Sequence, residues 1–237
     1  MPVRGSQFLI GVHLLLRRAF LYIPYSSAVS NRHPVNISFL GSACKLLPDI
    51  FQISNTPPSF FLFNLFAMKR AEAIQLLQPA GIDNSTTQRW ADLGSGEYQF
   101  THALAGLLAK GSSIYAVDRI GMPPEKGDVN IIPVKADFEM DELALEPVDG
   151  ILMANSLHYV AEPFTFLQKI QPLFKNQPLY LIVEYDTEVP IPVWVPYPVP
   201  FRRLEALAQQ MGYAEVARLG TYDSRYGGTM YAAVVRG

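Results

Sequence analysis

The chain has 237 residues and a mass of 26.4 kDa, with 49% hydrophobic and 17% charged residues, a net charge of -2 and a pI of about 6.1. That balance offers no cluster of Lys and Arg for a nucleic-acid backbone or an anionic membrane surface. The single cysteine, Cys44, excludes an internal disulfide, so nothing suggests an oxidising compartment, and a cytoplasmic location is the expectation.

Residues 1–67 differ in composition from the rest. They hold five basic residues (Arg4, Arg17, Arg18, Arg32 and Lys45) and one acidic residue, Asp49, which leaves 14 of the 19 basic and 20 of the 21 acidic residues beyond position 67. Their apolar runs keep no steady period. The run at 8–16 stops at Arg17-Arg18, the next contains Pro24, and none reaches the roughly 18 apolar residues of a spanning helix. Arg4 and the run after it loosely resemble a secretory signal, while scattered Arg and Ser with few acids resemble an organelle transit peptide. Met68-Lys69-Arg70 also reads as an ordinary start, with a helical pattern in Ala71, Ile74 and Leu77 directly after it. The expectation is an extension over 1–67 (targeting, disordered, or upstream of the true start) and one domain over 68–237.

From position 68 the pattern predicts a helix over 68–77 that stops near Pro79-Ala80-Gly81, then a strand over 88–93. A helix over 98–109 follows, with Gly111 as its stop. Strands are expected at 113–117, 130–134, 150–154 and 179–184. These are short, continuously apolar runs, the mark of a parallel sheet covered on both faces. A helix carrying Phe164, Leu167 and Ile170 joins the last two and is ended or kinked by Pro172. In residues 189–200 the prolines at 190, 192, 196, 198 and 200 forbid a helix and any central strand. A helix presenting Phe201, Leu204, Leu207, Ala208 and Met211 then closes at Gly212. Two further strands, 215–219 and 229–235, flank turn residues and predict an antiparallel hairpin. The fold class is α/β: a doubly wound, mostly parallel sheet with a C-terminal hairpin.

Asp92-Leu93-Gly94-Ser95-Gly96 sits where the first strand passes into a helix. Glycines there let the chain turn sharply and approach a ligand closely, beside the unpaired N–H groups of a helix start. The loop alone also fits a nicotinamide site, in which an acid about 20 residues on holds the ribose. Other chemistry lacks its residues. His13, His33, His102 and His158 show no metal-ligand spacing, Lys110-Gly111-Ser112-Ser113 lacks the preceding glycine of a phosphate loop, and no Gly-x-Ser-x-Gly elbow exists.

The glycine loop, Asp118 after Ile114-Tyr115-Ala116-Val117, Asp137-Phe138 after the third strand, and Val148-Asp149-Gly150-Ile151-Leu152-Met153-Ala154-Asn155-Ser156-Leu157-His158-Tyr159 together resemble the class I S-adenosylmethionine-dependent methyltransferases of small-molecule type, over about residues 87–236. The resemblance implies S-adenosyl-L-methionine as cofactor and a small-molecule methyl acceptor. It assigns Asp92, Gly94, Ser95 and Gly96 to the methionine half, with backbone N–H groups on its carboxylate and Asp92 on its ammonium. Asp118 is assigned to the ribose hydroxyls, Asp137 to the adenine amino group, Phe138 or Ile120 to the adenine ring, and Asn155 to the region beneath the sulfonium. Asp137 reads equally as the start of a polar loop or the cap of the next helix. His158, Tyr159, Tyr185, Trp194 and Tyr197 are candidate walls of the acceptor pocket. His158 and Glu184 are the candidates for a base, although many methyl transfers need only alignment. The plainer readings are a surface histidine, a solvated strand-end acid and, for Trp194, a connector residue packed on the core.

Two departures stand out: Tyr98 occupies the place of the family's third glycine, and the 119–129 connection, with Pro123-Pro124, is barely long enough for a parallel crossover, so its usual helix is expected to be reduced or absent. The fourth strand is not followed by the Asn-Pro-Pro-aromatic run of enzymes that methylate planar amino groups of DNA or protein. Two alternatives stay open, a Rossmann-type NAD(P)-dependent oxidoreductase and a non-catalytic cofactor-binding relative.

Overall fold

A computed structural model describes residues 68–224 and 228–237, so the expectations for residues 1–67 and for the tip of the final turn lie outside the described residues. The elements in chain order are α1 (Arg70–Leu77), β1 (Arg89–Leu93), α2 (Gln99–Ala105), β2 (Ser113–Asp118), β3 (Asn130–Lys135), β4 (Gly150–Ala154), α3 (Pro163–Ile170), β5 (Leu179–Tyr185), α4 (Phe201–Gln210), β6 (Glu215–Asp223) and β7 (Thr229–Arg236). The seven strands form one sheet in the order β3-β2-β1-β4-β5-β7-β6. Strands β1 to β5 pair in parallel, while β7 runs antiparallel to both β5 and β6.

Strand alternation sorts the apolar runs into two layers. Leu93, Ile151, Met153, Tyr180 and Ile182 face α3 and α4, where they meet Phe166, Leu167, Leu204 and Leu207. Trp90, Leu152, Leu181 and Val183 face the other way, against Leu77 of α1 and Leu104 of α2. Gly150 is a glycine within a strand for a packing reason: a Cβ there would lie 2.4 Å from the fully buried Trp90 ring.

The expected elements are present, with altered ends. Helix α2 stops at Ala105, before its expected end; turns carry the chain on, and Gly111, at φ +89°, leads into β2. The β2–β3 connection holds no helix, as its length and prolines require; a single bridge joins Glu125 to Ile131. The β3–β4 connection also lacks one, a feature not foreseen. There Lys169 of α3 ties the chain down by donating to the carbonyls of Glu139 (2.7 Å) and Asp141 (2.8 Å), while Leu143 and Leu145 pack on the core.

The proline-rich segment crosses the sheet's edge. Its Val195 belongs to one apolar layer and its Val199 to the other. Tyr231 Oη holds the crossing by donating to the Val199 carbonyl at 2.7 Å. Parallel pairing thus brings the loops after β1, β2, β3, β4 and β5 to one edge, and this segment meets the loop after β4, where Tyr197 N–H donates to the His158 carbonyl at 3.0 Å.

Candidate functional site

The strand order reverses between β1 and β4: β2 and β3 lie to one side, β5 to the other. In a doubly wound sheet the crevice at the carboxyl ends of two such strands receives the ligand. Asp92 pairs in register with Leu152 of β4, so the glycine loop and the loop after β4 face each other there. The contact is close. A Cβ on Gly94 would lie 2.5 Å from Ser156 Cβ and 3.2 Å from the Phe138 ring, so only glycine fits, at φ +85°. Ser156 Oγ donates to the Leu93 carbonyl at 2.6 Å and fastens the two loops together.

The expectation that the loop's backbone N–H groups stand free for a ligand is corrected. Gly94 and Ser95 both donate to the Val117 carbonyl, at 2.8 and 3.1 Å, and Gly96 donates to Asp118 Oδ2 at 3.0 Å. The end of β2 lies directly beneath the turn and takes these donors. What the loop leaves without a partner is side-chain chemistry: Asp92 Oδ1, Ser95 Oγ and Asn155 Oδ1 are buried polar atoms with no hydrogen bond. Such atoms are rare in a native fold and ask for an explanation. Asp92 is 1% exposed, and its other oxygen accepts from Thr101 Oγ1 at 2.6 Å. Burial raises its pKa from 3.8 to about 7, against the Thr101 hydrogen bond and with a further push from the Asp118 charge.

Asp118 spans two loops, accepting from the N–H of Gly96 on Oδ2 and from that of Ile120 on Oδ1 at 2.8 Å. A carboxylate has about four acceptor positions, so a diol can still be received. Ile120 beside it is 76% exposed. No helix follows Asp137, so it caps a turn instead: Oδ1 accepts from the N–H groups of Glu139 and Met140, while Oδ2 lies 3.9 Å from Arg119. Phe138 packs edge-on to Phe166 with its ring beside Gly94. Tyr98 does take the third-glycine position in a left-handed conformation, φ 65°, with its ring buried against Ala116 and Ile131 and its hydroxyl donating to the Met122 carbonyl at 3.3 Å.

The acceptor-side candidates split into two groups. The plain reading of His158 as a surface residue fails, because it is 1% exposed and Glu184 is fully buried. The two pair through Nδ1 and Oε2 at 2.5 Å, and Glu184 Oε1 accepts the His158 backbone N–H at 3.1 Å. Tyr159 stacks at a tilt on the His158 ring, centroids 4.4 Å apart, and the N–H of the exposed Tyr197 donates to the His158 carbonyl at 3.0 Å. Tyr185 and Trp194 lie instead with the apolar layer of α1 and α2, where Tyr185 Oη meets Ser224 Oγ at 3.2 Å.

Thr101 and Ser156 were not singled out from the sequence. Thr101 is fully buried on α2 nine residues after Asp92, which its sequence context alone does not announce, and Ser156 shows no signal beyond its place between Asn155 and His158. A cleft of about 320 Å³ lined by Ile74, Gly81, Ile82 and Leu107 belongs to the other end of the strands and shares no residue with this site.

The sheet order with an antiparallel β7 inserted between β5 and β6 defines the Rossmann-like fold of class I methyltransferases. Solved structures share it: a SAM-dependent methyltransferase from Archaeoglobus fulgidus (TM-score 0.55, 16% identity, 76% of this chain and 100% of that one), the 1,6-didemethyltoxoflavin-N1-methyltransferase of Burkholderia thailandensis with 1,6-didemethyltoxoflavin and S-adenosylhomocysteine bound (0.53, 17%, 75% and 81%), and a SAM-dependent methyltransferase from Aquifex aeolicus (0.50, 16%, 76% and 100%). No family model and no curated protein matches the sequence.

Proposed function

We propose that this chain is a cytoplasmic S-adenosylmethionine-dependent methyltransferase acting on a small molecule. The observation that carries the reading is the set of unpartnered buried atoms at the strand-order reversal. Asp92 Oδ1 and Asn155 Oδ1 are acceptors suited to the ligand's ammonium, and Ser95 Oγ can donate to its carboxylate. Asp118 keeps acceptor capacity for the ribose hydroxyls. Asp137 Oδ2 and the exposed Ile120 suit the adenine amino group and ring. When bound, the cofactor supplies a methyl group made electrophilic by its sulfonium. The protein's own part is to hold the partners in line and exclude water.

A nicotinamide-dependent oxidoreductase is not favoured, because the antiparallel β7 departs from the parallel dinucleotide-binding sheet. Turnover, as opposed to cofactor binding alone, is tested by a methyl-acceptor screen read as S-adenosylhomocysteine release.

Asp118→Ala is expected to weaken cofactor binding by about 1.5–3 kcal/mol, the range for hydrogen bonds to a charged group. Calorimetry should give the same loss for S-adenosylmethionine and S-adenosylhomocysteine, which share the ribose; a loss confined to one removes Asp118 from the ribose. Residues 68–237 are proposed to be the functional unit. A chain starting at Met68 should therefore bind S-adenosylhomocysteine as tightly as the full chain, and an insoluble short form beside a soluble full chain would refute this.

A further inference from the structure

The exposed apolar surface is confined to one edge of the sheet. Seven large apolar side chains are exposed among the described residues: Ile120 and Met140 in the loops after β2 and β3, Tyr159 after β4, and four more in residues 189–197 after β5. All of them leave from carboxyl ends of parallel strands. Exposed apolar residues scattered singly need no explanation, but a continuous patch marks a place of contact. Here the sharpest feature is a run. Val189, Pro190, Ile191, Pro192 and Val193 are exposed one after another, Val189 to 68%. A run of that length is a fault on a surface that only meets water, unless it has a use.

The segment is also built to leave water. Residues 189–200 contain no charged side chain. An apolar medium penalises every unpaired N–H, and five of these residues are prolines, which have none. Five of the seven amides that remain already donate inside the protein. Val189 donates to Thr187 Oγ1 at 3.2 Å, Ile191 to the Val195 carbonyl at 3.0 Å, Trp194 and Val195 to the Ile191 carbonyl at 3.0 and 2.8 Å, and Tyr197 to the His158 carbonyl. The turn so closed holds Val193 at φ 72°, a conformation that glycine or asparagine adopts at less cost than a β-branched residue. An apolar side chain thus stands at the tip against the preference of the backbone. Beside the run the charges cancel: Arg202 Nη2 lies 2.6 Å from Glu188 Oε1, and Arg218 Nη2 lies 3.1 Å from Asp186 Oδ2.

We propose that residues Val189–Val193 are a docking apex that inserts into an uncharged lipid surface, so that the carboxyl edge of the sheet works at a membrane boundary. The paired flanking charges and the absence of a basic patch match zwitterionic headgroups, not anionic ones. A protein closed over the same loops would bar small molecules from the crevice between β1 and β4, whereas a lipid surface covers the loops and still delivers molecules that partition into it. Trp194, half-buried directly after the apex, and the exposed Tyr197 stand where amphipathic rings meet headgroups.

The test uses the full chain and vesicles of phosphatidylcholine, with and without phosphatidylserine. Wild-type protein should float with pure phosphatidylcholine vesicles, and added salt or phosphatidylserine should change the binding little. The chain has two tryptophans, and Trp90 is fully buried, so a blue shift of the emission on binding, quenched by brominated phosphatidylcholine, reports Trp194. That readout needs no variant. The double variant Val189→Ser with Val193→Asn should bind phosphatidylcholine vesicles about tenfold more weakly or worse. Its melting temperature should be unchanged or raised, because asparagine suits the left-handed position; a merely structural role for the apex would lower it. Four results overturn the proposal: no binding by the wild type, binding that the variant keeps, binding that requires phosphatidylserine and is lost in salt, or a wild-type dimer in light scattering that the variant breaks, which would make the apex a contact between two copies. Vesicle binding is measured without cofactor, so its failure leaves the methyltransferase reading standing, and a failure to bind S-adenosylhomocysteine leaves the docking apex standing.

Discussion

Gly96→Val is expected to lower the affinity for S-adenosylhomocysteine by about a hundredfold or more, roughly 2.7 kcal/mol, in a chain that still folds. Gly96 stands at φ +51°, and a Cβ built on it meets no protein atom within 4 Å, so the added methyl groups enter the space in front of the loop, not the protein. The folded chain bears only the left-handed strain, about 1–3 kcal/mol, which lowers the melting temperature by roughly 2–4 °C per kcal/mol at this size. Gly94 behaves differently. Its Cβ would overlap Ser156, so Gly94→Val displaces the loop after β4 and confounds binding with stability. Calorimetry on Gly96→Val, with thermal unfolding alongside, checks the assignment, and unchanged affinity would remove the loop from the site.

The second large effect is on pH. The folded pKa of Asp92 is raised to about 7 from 3.8, first by burial, so between these values the folded chain holds a proton that the unfolded chain has released. Stability from this group is fully present below about pH 4, falls as pH rises towards 7, and is level above that. Binding has the opposite slope. A ligand ammonium favours the ionised carboxylate, so affinity for S-adenosylhomocysteine should climb by up to about tenfold per pH unit between roughly pH 5 and 7, then flatten. Asp92→Asn should keep a hydrogen-bonding group near Thr101, lose about 2–5 kcal/mol of affinity above pH 7, as when one partner of a buried charge pair is removed, and show no slope. Titrations at several pH values in both forms decide it; a wild-type affinity independent of pH would mean that Asp92 does not meet a cation.

Much of this was legible in the sequence because the signals are local. Four apolar runs without polar alternation announced strands β2 to β5, and alternate prolines at 190–200 forbade regular structure where the chain crosses the sheet edge. Asp92-x-Gly-x-Gly marked the corner, and the shortness of residues 119–129 removed a helix from the connection. What was not legible depends on register. That the Val117 carbonyl takes the amides of Gly94 and Ser95 follows from how β1 lies against β2, which no local pattern encodes. His158 and Glu184 are 26 residues apart, and their pairing needs Ala154 of β4 set opposite Val183 of β5. The sequence offered both residues as candidates but could not join them. Asp137 shows the reverse: an acid after a strand fits a ligand contact, a polar loop or a helix cap, and the turn it caps instead is seen only once the chain folds back on itself.

The central claim is that the carboxyl edge between β1 and β4 receives S-adenosylmethionine. Isothermal titration of the full chain with S-adenosylhomocysteine and, separately, with NAD tests it most directly. The account predicts saturable one-to-one binding of S-adenosylhomocysteine that Gly96→Val weakens by about a hundredfold or more, and no heat with NAD. Binding of NAD, or S-adenosylhomocysteine binding that survives Gly96→Val unchanged, would contradict it.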